Sequence, residues 1–598
     1  MASCPTVPAF DLPSPPRDVP LLPWAAATEL TLPGSKSDAN RLLLLAAVTG
    51  STVPIHGLPA SDDVHRLLDG LRTLGFPVDL DAERAMVTVR PRPPAAPTAG
   101  VLECGNAGTA LRFLVSLAAI TPGEWTVTGD LAMQRRPIGP LVAAWRQLGV
   151  DASDTAGCPP VHVRGRSDVD GGIVQLDASV SSQFVSSLLL VGARLRRGIT
   201  IEFPGAVASF DYAVWTCRTL ARFGVGATLT PTGAAVPPGC RFVAPTQPIV
   251  VDGDWSSMGV WTCLAHLNGS RLVATNLRPD SGQADEGLAR VLAEWPATGE
   301  HTIDVAPLPD QFLVLAVVAA FWPGTTRFVG GANLRHKECD RLAVMARELR
   351  RIGGDVDELP DGLVVRGGRP LRGATIDPAA DHRVAMALAL AGLLVGGMRI
   401  ALPDCVAKSY PSFWRDLAQV AASRLPVVVV GMRGVGKSTF ARAFAATAAA
   451  ECIDVDAEFV GRHGPIAEFV AAHGWPRFRA EEERLLAAAL RPGCVVATGG
   501  GAIESEATRR LLRDRALVVW LAADATLVRQ RLSAAATDAA PRPSVTGRGL
   551  LDEVPTLLAR RDPLYAEVAT VRLDAALPTA TLCAMAQERL ARRTVAAG

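Results

Sequence analysis

Apolar and polar positions along this chain alternate between the period of strands and the period of helices. Leu425–Val430 is a short, almost wholly apolar run that is typical of a buried strand, and an alanine-rich helical pattern begins at Phe440. The apolar run Leu42–Val48 follows a glycine-containing turn and predicts a buried helix. The longest uninterrupted apolar run, Val384–Met398, is shorter than the roughly 20 residues that a membrane-spanning helix needs. The pattern therefore predicts an α/β protein without membrane-spanning segments.

One local pattern recurs before residue 422: the end of a helix, then a glycine, then the start of a strand. It occurs at Leu71–Asp79, Trp145–Asp151, Leu220–Gly226 and Leu349–Val356, with a degenerate copy near Trp295–Gly299. A glycine in this position predicts left-handed backbone at the end of the helix. Gly75, Gly149 and Gly224 lie 74 and 75 residues apart, whereas solenoid repeats are about 20–50 residues long. The repeat therefore predicts duplicated α/β units that pack into globular domains.

Composition limits the kinds of partner. The 598 residues have a formal net charge of +1, so no general affinity for nucleic acid is expected. The 11 cysteines show no C-x-x-C pair and no zinc spacing, which favours a reducing compartment. Residues 1–22 are a proline-rich extension without an apolar signal core. We expect no membrane partner and a cytoplasmic location, with a plastid as the alternative. The oligomeric state is not readable from the sequence.

A nucleotide-binding loop follows the strand pattern at Leu425–Val430. Gly431–Thr439 reads G-x-x-x-x-G-K-S-T and opens the alanine-rich helix, which is the full context of a P-loop. Its glycines let backbone N–H groups face phosphate oxygens, and its lysine reaches the outer phosphates of ATP. The predicted ATP-binding residues of the loop are Gly431, Gly434, Val435, Gly436, Lys437, Ser438 and Thr439.

The segments between the repeats carry cations and small residues at predicted helix starts. They include Pro33–Arg41, Gly105–Arg112, Gln134–Ile138, Val180–Phe184, Asn333–Arg341 and Asp381–Arg383. Each alone has a plain structural explanation, because a basic run is usually a solvated face and a Ser-Ser pair is usually a helix cap. Together they predict an enclosed, cationic site for small phosphorylated or carboxylated substrates.

These segments, in this order, resemble 5-enolpyruvylshikimate-3-phosphate (EPSP) synthase across residues 23–422. The matching elements are P-G-S-K-S-x-x-N-R, G-N-A-G-T-A-x-R, R-P-I, S-S-Q-F, N-x-R-x-K-E-x-D-R-L and D-H-R-x-A-M. The resemblance implies a two-domain α/β fold of six βαβαββ units, with a crossover between the lobes near residues 34–36 and 248–253. It also implies transfer of enolpyruvyl from phosphoenolpyruvate to shikimate 3-phosphate, with release of phosphate and without a metal or cofactor.

The resemblance implies a role for each matching residue. Phosphoenolpyruvate is expected to contact Lys36, Gly108, Arg136, Gln183, Arg341, Arg383 and Lys408. Shikimate 3-phosphate is expected to contact Lys36, Ser37, Arg41, Ser181, Ser182, Gln183, Ser209, Tyr212, Asp310, Asn333 and Lys337. The expected catalytic residues are Asp310, as base for the 5-hydroxyl, and Glu338, Lys36, His382 and Lys408 as candidates for proton transfer. Asp38, Ala39, Ala132 and Phe113 depart from the residues common in the family, and Phe113 is expected to affect the phosphoenolpyruvate pocket.

The remaining residues, 423–598, resemble shikimate kinase. Ile453–Asp456, Arg477–Glu482, Thr498–Gly501, Pro541–Pro543 and Arg561–Tyr565 follow the P-loop in that family's order. The resemblance implies a five-stranded parallel sheet, ATP as substrate and Mg²⁺ held by Ser438 and Asp454. It assigns shikimate binding to Asp456, Arg479, Gly500, Gly501 and Arg561, and it assigns Arg542 to a lid over ATP.

The two resemblances together predict a bifunctional enzyme of the shikimate pathway, similar to the central part of the pentafunctional AROM-type protein. Its substrates are shikimate, ATP, shikimate 3-phosphate and phosphoenolpyruvate. Two alternatives stay open at this point. In the first alternative, the kinase half acts on a different hydroxylated acid, since a P-loop alone fits several small-molecule kinases. In the second, one half is catalytically degenerate and serves as a binding or scaffold module.

Overall fold

The computed structural model describes residues 14–535 and 549–591. The chain forms two compact units. The first comprises the residues up to Pro20 together with Glu29–Cys263 and Val273–Asp416. The second comprises Leu21–Thr28, Leu264–Leu272 and the residues from Leu417 onward. Among the described residues, no helix combines the length and apolar character that crossing a bilayer requires.

Among its described residues, the first unit repeats one four-stranded sheet four times. Each copy has three neighbouring strand pairs; in spatial order the first pair is parallel and the other two pairs are antiparallel. In spatial order the strands are Ile249–Val250, Val53–His56, Met86–Val89 and Val78–Asp81; Ala99–Glu103, Gly123–Thr128, Cys158–Gly165 and Asp151–Thr155; Gly172–Gln175, Ile199–Glu202, Gly233–Val236 and Thr228–Thr230; and Glu300–Asp304, Thr325–Val329, Gly362–Arg366 and Asp355–Leu359. The duplicated architecture that the glycine repeat predicted is confirmed.

Two smaller sheets accompany these four. One joins Arg17–Asp18, Arg399–Ile400 and Thr375–Ile376, and the other joins Arg271–Ala274 and Ala27–Leu30. The helices of this part of the chain are Lys36–Val48, Asp62–Thr73, Gly108–Ala119, Gly139–Gln147, Gln183–Val191, Phe210–Ala221, Trp255–Asn268, Leu288–Ala293, Phe312–Phe321, Arg341–Arg351, His382–Val395 and Phe413–Ala422. The helix predicted from the run Leu42–Val48 is therefore present and extends back to Lys36.

The glycines of the repeat have the backbone that the sequence predicted. Gly75, Gly149 and Gly224 have φ of +88°, +77° and +74°, and each lies just after a helix and before an antiparallel strand. Gly299, in the degenerate copy, has φ of +99°. A side chain with a Cβ is strained in this region, so glycine permits the chain to leave the helix and return along the sheet.

The two segments in which the lobe crossover was expected lie against each other. Gly34 pairs with Gly253 in an antiparallel bridge, and the Ser35 backbone N–H donates to the Asp252 carbonyl oxygen at 2.7 Å. A Cβ on Gly34 would come 2.2 Å from the Gly57 carbonyl oxygen, so the close approach of three backbone segments requires glycine there. The division into two lobes and the boundary at residue 423 remain predictions.

The second unit contains a five-stranded, wholly parallel sheet. In spatial order its strands are Cys452–Asp454, Val495–Ala497, Val427–Val430, Leu517–Ala522 and Val571–Asp574. Its helices are Lys437–Thr447, Val455–His463, Ile466–Ala489 with a kink at Gly474, Glu506–Arg515, Ala525–Ala535, Val554–Val568 and Thr579–Ala591. The parallel sheet predicted for this half is confirmed, and its central strand leads directly into the P-loop.

One tryptophan far from the P-loop in sequence belongs to this unit's core. Trp24 is fully buried, its ring stacks on Phe444 at 5.7 Å between centroids, and its Nε1–H donates to the Leu425 carbonyl oxygen at 2.8 Å. The Arg424 guanidinium lies 5.5 Å from the Trp24 ring. The segment Leu21–Thr28 therefore contributes apolar area to the helix that follows the P-loop.

Two candidate active sites

Five helices of the first unit begin at one cavity. Their first residues are Lys36, Gly108, Gln183, Arg341 and His382, and all five line that cavity. The N-terminus of a helix carries unpaired N–H groups and a partial positive charge, so anions are stabilised there. The fold thus directs several positive helix ends at one space, which no single segment of the sequence accomplishes.

The cavity gathers nearly every residue that the sequence assigned to the transferase. The lining includes Lys36, Ser37, Arg41, Gly108, Arg136, Ser181, Ser182, Gln183, Ser209, Tyr212, Asp310, Asn333, Lys337, Glu338, Arg341, His382 and Arg383. Lys408 is not among the lining residues, but its Nζ lies 3.0 Å from Glu338 Oε1 and donates to the Asn106 carbonyl oxygen at 2.8 Å. Six cationic side chains and three carboxylates line the cavity, so its charge favours anionic ligands.

Arg341 stands at the centre of the carboxylates. Its guanidinium is buried and lies 2.9 Å from Asp310 Oδ1, 2.8 Å from Glu338 Oε2 and 2.8 Å from Asp381 Oδ2. Burial opposes its charge, but the carboxylates of Asp381, Glu338 and Asp310 hold the pKa of Arg341 well above its ordinary value. The side chain therefore stays cationic and fixes three acids in place.

Asp310, the expected base, is held by two arginines. Its second oxygen, Oδ2, lies 2.9 Å from Arg383 Nη2. Burial opposes ionisation, but Arg383, Lys337 and Arg341 lower the pKa of Asp310 below its ordinary value. The carboxylate is therefore ionised and weakly basic, and any proton transfer to it depends on placement rather than on basicity.

Two further candidates for proton transfer, Glu338 and His382, differ in charge: the first is anionic and the second is neutral. Burial opposes ionisation of Glu338, but Lys408, Arg341 and Arg136 hold the pKa of that carboxyl well below its ordinary value. Burial, with help from Lys36 and Arg383, lowers the pKa of His382 well below its ordinary value. Glu338 is therefore an ionised acceptor at neutral pH, whereas His382 is a neutral imidazole that can donate one proton or accept one.

Lys36 has a partner that the sequence reasoning missed. Its Nζ lies 2.8 Å from Asp63 Oδ2, and Asp63 also lines the cavity. Burial opposes the ammonium charge, but Asp63 and Glu338 raise the pKa of Lys36 above its ordinary value. Asp63 stands in the first turn of the helix Asp62–Thr73, where an acidic residue is most simply explained as complementing the helix dipole. Because this local explanation is sufficient, the sequence alone does not reveal the ion pair of Asp63 with Lys36.

Arg41 and Arg112 support the wall of the cavity. The Arg41 guanidinium donates to Thr216 Oγ1 at 2.9 Å and lies 4.8 Å from the Trp215 ring. Arg112 donates to Gln183 Oε1 at 3.1 Å and to the Pro137 carbonyl oxygen at 3.1 Å, which orients the Gln183 amide. Arg112 stood within a matching segment, yet the sequence reasoning gave it no role. Both guanidinium groups are buried and tie separate helices together.

The four residues that depart from the family pattern, Asp38, Ala39, Ala132 and Phe113, do not line the cavity. Phe113 is fully buried in the core, and its ring lies 5.9 Å from the Arg41 guanidinium. Asp38 is buried on the helix that begins at Lys36, and Ala132 precedes the turn Met133–Arg135. Phe113 therefore reaches the ligand space only through neighbours such as Arg41, which does line the cavity, and its effect on the pocket is indirect.

The second unit has its own cavity beside the P-loop. It is lined by Arg433, Asp456, Ile466, Trp475, Phe478, Arg479, Glu482, Gly499, Gly500, Gly501 and Arg561. All five residues expected to bind shikimate are in this set. The glycines make room for the arginine, because a Cβ on Gly501 would come 2.0 Å from Arg479 Nη2. Three arginines, two carboxylates and a glycine-lined floor suit a small hydroxylated acid.

Two of the three arginines that line this cavity, Arg479 and Arg561, are held by acidic partners to which the sequence reasoning gave no role. Arg479 Nη1 lies 2.5 Å from Glu482 Oε2, and Arg561 Nε lies 2.7 Å from Glu504 Oε1. Arg561 Nη2 is buried and has no hydrogen-bond partner among the described residues. A buried donor without a partner is costly, so this group is available for a ligand acceptor.

The P-loop has the conformation that the motif predicts. Gly431, Gly434 and Gly436 have φ of +145°, +83° and +92°, and the helix Lys437–Thr447 starts at once. Lys437 Nζ donates to the Met432 carbonyl oxygen at 3.1 Å, so the side chain curls back over the loop. Val435, Ser438 and Thr439 belong to the loop and the first turn of the helix. Arg542 lies outside the described residues.

Asp454 ends the strand Cys452–Asp454. Its Oδ1 accepts hydrogen bonds from the backbone N–H groups of Asp456 at 3.1 Å and Ala457 at 3.2 Å. The side chain therefore caps the helix that carries Asp456. With the Ser438 hydroxyl it offers oxygen ligands, the kind that Mg²⁺ prefers.

Comparison with known proteins finds a family match for each of the two parts of the chain. The family model for EPSP synthase (3-phosphoshikimate 1-carboxyvinyltransferase) matches residues 25–417, and the shikimate kinase model matches residues 433–591. A 3-phosphoshikimate 1-carboxyvinyltransferase of Rhizobium etli is 38% identical over 402 residues, which cover 65% of this chain and 94% of that protein. A pentafunctional AROM polypeptide of Eremothecium gossypii is 32% identical over 556 residues, 81% of this chain and 35% of that one.

The solved structure of EPSP synthase from Acinetobacter baumannii shares the fold. It superposes with a TM-score of 0.54 at 24% identity and covers 68% of this chain and 98% of its own. The order of the two matching families along the chain is the order in which the two cavities occur. The chain belongs to the EPSP synthase family, contains a shikimate kinase domain from residue 433, and is a bifunctional enzyme of the shikimate pathway.

Proposed function

We propose that both cavities are catalytically active and that the chain carries out two consecutive steps. The second unit phosphorylates shikimate with ATP, and the first unit transfers enolpyruvyl from phosphoenolpyruvate to the resulting shikimate 3-phosphate. The observation that carries this proposal is the convergence of five helix N-termini and six cationic side chains on one cavity. Two phosphorylated substrates repel each other, and only a dense positive environment permits them to approach.

In the transferase, Asp310 is the base that receives the proton of the 5-hydroxyl group of shikimate 3-phosphate. The hydroxyl oxygen bonds to the central carbon of phosphoenolpyruvate as this proton leaves. A proton is added to the methylene carbon in the same addition, which gives the tetrahedral intermediate. That proton is then removed and phosphate leaves, which restores the carbon–carbon double bond. The ionised carboxylates of Asp310 and Glu338 support roles as acceptors, and the charged Lys36 supports a role as donor.

The remaining transferase residues bind and orient the substrates. Lys36, Arg136, Arg341, Arg383 and Lys408 surround the phosphate and carboxylate of phosphoenolpyruvate, with Gly108 and Gln183 beside them. Ser37, Arg41, Ser181, Ser182, Ser209, Tyr212, Asn333 and Lys337 hold shikimate 3-phosphate. All of these residues except Lys408 line one cavity, and Lys408 contacts Glu338 in its wall, which supports the assignment.

In the kinase, Arg479 and Arg561 take the carboxylate of shikimate and Asp456 takes hydroxyl groups of its ring. Lys437 and the P-loop N–H groups hold the phosphates of ATP, and Ser438 with Asp454 would hold Mg²⁺. When bound, the metal neutralises charge on the phosphates during transfer. A cytoplasmic location is part of the same proposal, and the free cysteines of the described residues support a reducing environment.

A coupled assay tests the proposal. Purified full-length chain is supplied with shikimate, ATP and phosphoenolpyruvate, and the products are followed by phosphorus NMR. We expect one ADP and one phosphate for each shikimate consumed, with shikimate 3-phosphate as a transient species. Absence of turnover from supplied shikimate 3-phosphate and phosphoenolpyruvate would show that the transferase half is degenerate. Absence of ADP formation from shikimate would show the same for the kinase half.

A further inference from the structure

Asp285 lies behind the transferase cavity and does not line it. It belongs to the short 3-10 turn Ala284–Gly287, and 5% of its surface is exposed. Its Oδ2 accepts a hydrogen bond from Tyr212 Oη at 3.2 Å and a second from Ser256 Oγ. Its Oδ1 is buried without a hydrogen-bond partner among the described residues. A buried carboxylate with one unpaired oxygen destabilises the folded protein, so its presence at this position calls for a functional explanation.

Ser256 connects Asp285 to the proposed catalytic base. Arg383 Nη2 donates to Ser256 Oγ at 3.1 Å, and the same nitrogen lies 2.9 Å from Asp310 Oδ2. A serine hydroxyl has one proton to donate. Because Ser256 donates this proton in its hydrogen bond to Asp285, its oxygen can act only as an acceptor towards Arg383. The direction of every hydrogen bond from Asp285 to Arg383 is thereby fixed.

Asp285 also fixes the other side of the site through Tyr212. Tyr212 lines the cavity, and its hydroxyl group has Asp285 as acceptor. Tyr212, Ser256 and Arg383 are carried by three different helices, Phe210–Ala221, Trp255–Asn268 and His382–Val395. One carboxylate therefore sets the relative orientation of side chains from three helices.

We propose that Asp285 is a positioning residue of the transferase: it holds Tyr212 and Ser256, and through Ser256 it directs Arg383 at Asp310. This inference rests on the proposed function, in which Asp310 is the base and Arg383 contacts phosphoenolpyruvate. Asp285 itself touches neither substrate.

The charge state of Asp285 gives this role a pH dependence. The charged and titratable groups that face Asp285 are Asp310, Arg383, Asp254 and Tyr212. Burial, followed by the neighbouring Asp310 carboxylate, raises the pKa of Asp285 from 3.8 to about 6. Above this pH the ionised carboxylate accepts charge-assisted hydrogen bonds, which are roughly twice as strong as neutral ones. Below it the neutral acid holds Tyr212 and Ser256 less firmly.

The test is Asp285→Asn in the full-length chain, with kcat for enolpyruvyl transfer measured from pH 5 to pH 8. Phosphate groups of the substrates also titrate near pH 6. The ratio of wild-type kcat to variant kcat at each pH is therefore the quantity of interest, because substrate ionisation is common to both enzymes. We expect this ratio to be about 10 at pH 7.5, as misorientation of reacting groups costs one to two orders of magnitude, and to fall towards 1 at pH 5.

Two further variants separate positioning from structure. Glu348 is a buried carboxylate paired with Arg347 and Arg351 outside the cavity, and the ratio for Glu348→Gln should be independent of pH. Ser256→Ala removes the connection between Asp285 and Arg383. Asp285→Asn should lower kcat much less in the Ser256→Ala background than in the wild type.

A pH-independent ratio for Asp285→Asn, or full additivity with Ser256→Ala, would overturn the inference. If Asp285→Asn does not fold, as judged by circular dichroism, Ser256→Ala alone decides. A kcat within twofold of wild type at pH 7.5 would then refute the positioning role. Wild-type enzyme without any transferase activity would instead refute the proposed function, so the two failures are distinguishable.

Discussion

Gly108 lies directly against the Arg136 guanidinium. A Cβ at residue 108 would come 2.9 Å from Arg136 Nη2 and 2.7 Å from Arg112 Nη1, which is closer than carbon atoms approach such groups. Arg136 is 9% exposed and lines the transferase cavity, so a guanidinium displaced by a Cβ at residue 108 would shift within the ligand site. The glycine therefore fixes the position of a cation that the proposed function assigns to phosphoenolpyruvate.

Gly108→Ala should raise the KM for phosphoenolpyruvate about tenfold or more, because displacement of Arg136 weakens a charge-assisted contact worth about 1.5–3 kcal/mol. Steady-state kinetics at saturating shikimate 3-phosphate measure the change. Gly205→Ala is the matched control, since nothing lies within 4 Å of a Cβ at that position. An unchanged KM in Gly108→Ala would mean that Arg136 does not contact phosphoenolpyruvate.

The two catalytic functions should be separable by single substitutions. Lys437 belongs to the P-loop and Lys36 lines the transferase cavity, in different compact units. Lys437→Met should strongly lower kcat for shikimate phosphorylation while transfer to supplied shikimate 3-phosphate stays near wild type, and Lys36→Met should do the reverse. Each loss is expected to reach about 3 kcal/mol of transition-state stabilisation, roughly 10²-fold in kcat. A folded variant that lost both reactions would contradict two autonomous sites.

Removal of divalent cations should distinguish the two reactions. Ser438 and Asp454 supply oxygen ligands beside the P-loop, so EDTA should abolish ADP formation and added Mg²⁺ should restore it. Transfer from supplied shikimate 3-phosphate should continue in EDTA. Each reaction is followed by its own product, ADP or inorganic phosphate. Transferase activity that needed a metal would refute the assignment for the first unit.

Asp38 should make the first unit less stable as the pH rises. Its carboxyl is 2% exposed, and Arg222 Nη1 lies 3.8 Å from Oδ2. Burial raises the pKa of Asp38 from 3.8 to about 6; Arg222 opposes the shift and Asp252 adds to it. Because the folded protein then binds this proton more tightly than the unfolded chain, the free energy of unfolding decreases as the pH rises from about 4 to about 6.

Asp38→Asn should therefore stabilise the unit at pH 7 by up to about 3 kcal/mol and change little at pH 4, where the carboxyl is neutral. The urea midpoint for loss of transferase activity, compared at the two pH values, measures this effect. The exposed Asp168 provides a control through Asp168→Asn, which should leave the midpoint unchanged at both. A lower midpoint for Asp38→Asn at pH 7 would contradict the prediction.

Glu504 should contribute to shikimate affinity without touching the substrate. It fixes Arg561 at 2.7 Å, while Arg561 Nη2 is left for a ligand. Arg561→Ala should raise the KM for shikimate about 100-fold, and Glu504→Gln several-fold, since the hydrogen bond remains but loses its charge. Arg560 also contacts Glu504 but does not line the cavity, so Arg560→Ala should have a small effect. Equal effects of Arg560→Ala and Arg561→Ala would refute the assignment.

Much of the fold was predictable because its signals are local. The P-loop, the apolar strand before it and the helix after it occupy one short stretch, so a single spacing determines all three. The left-handed glycines of the repeat are equally local, because only a residue without a Cβ ends a helix in that way. The cationic segments at helix starts predicted anion binding for the same reason.

The sequence by itself determined which residues are present to bind anions, where the chain turns, and that two families follow one another. The tertiary structure decided which acids accompany those residues. Asp63 beside Lys36, Asp381 beside Arg341, Asp285 behind Tyr212 and Glu504 beside Arg561 are separated from their partners by 27 to 73 positions. Each is most simply explained locally as a helix cap or a surface charge. Their electrostatic effect depends on distance in space, which only the packing of elements distant in sequence establishes.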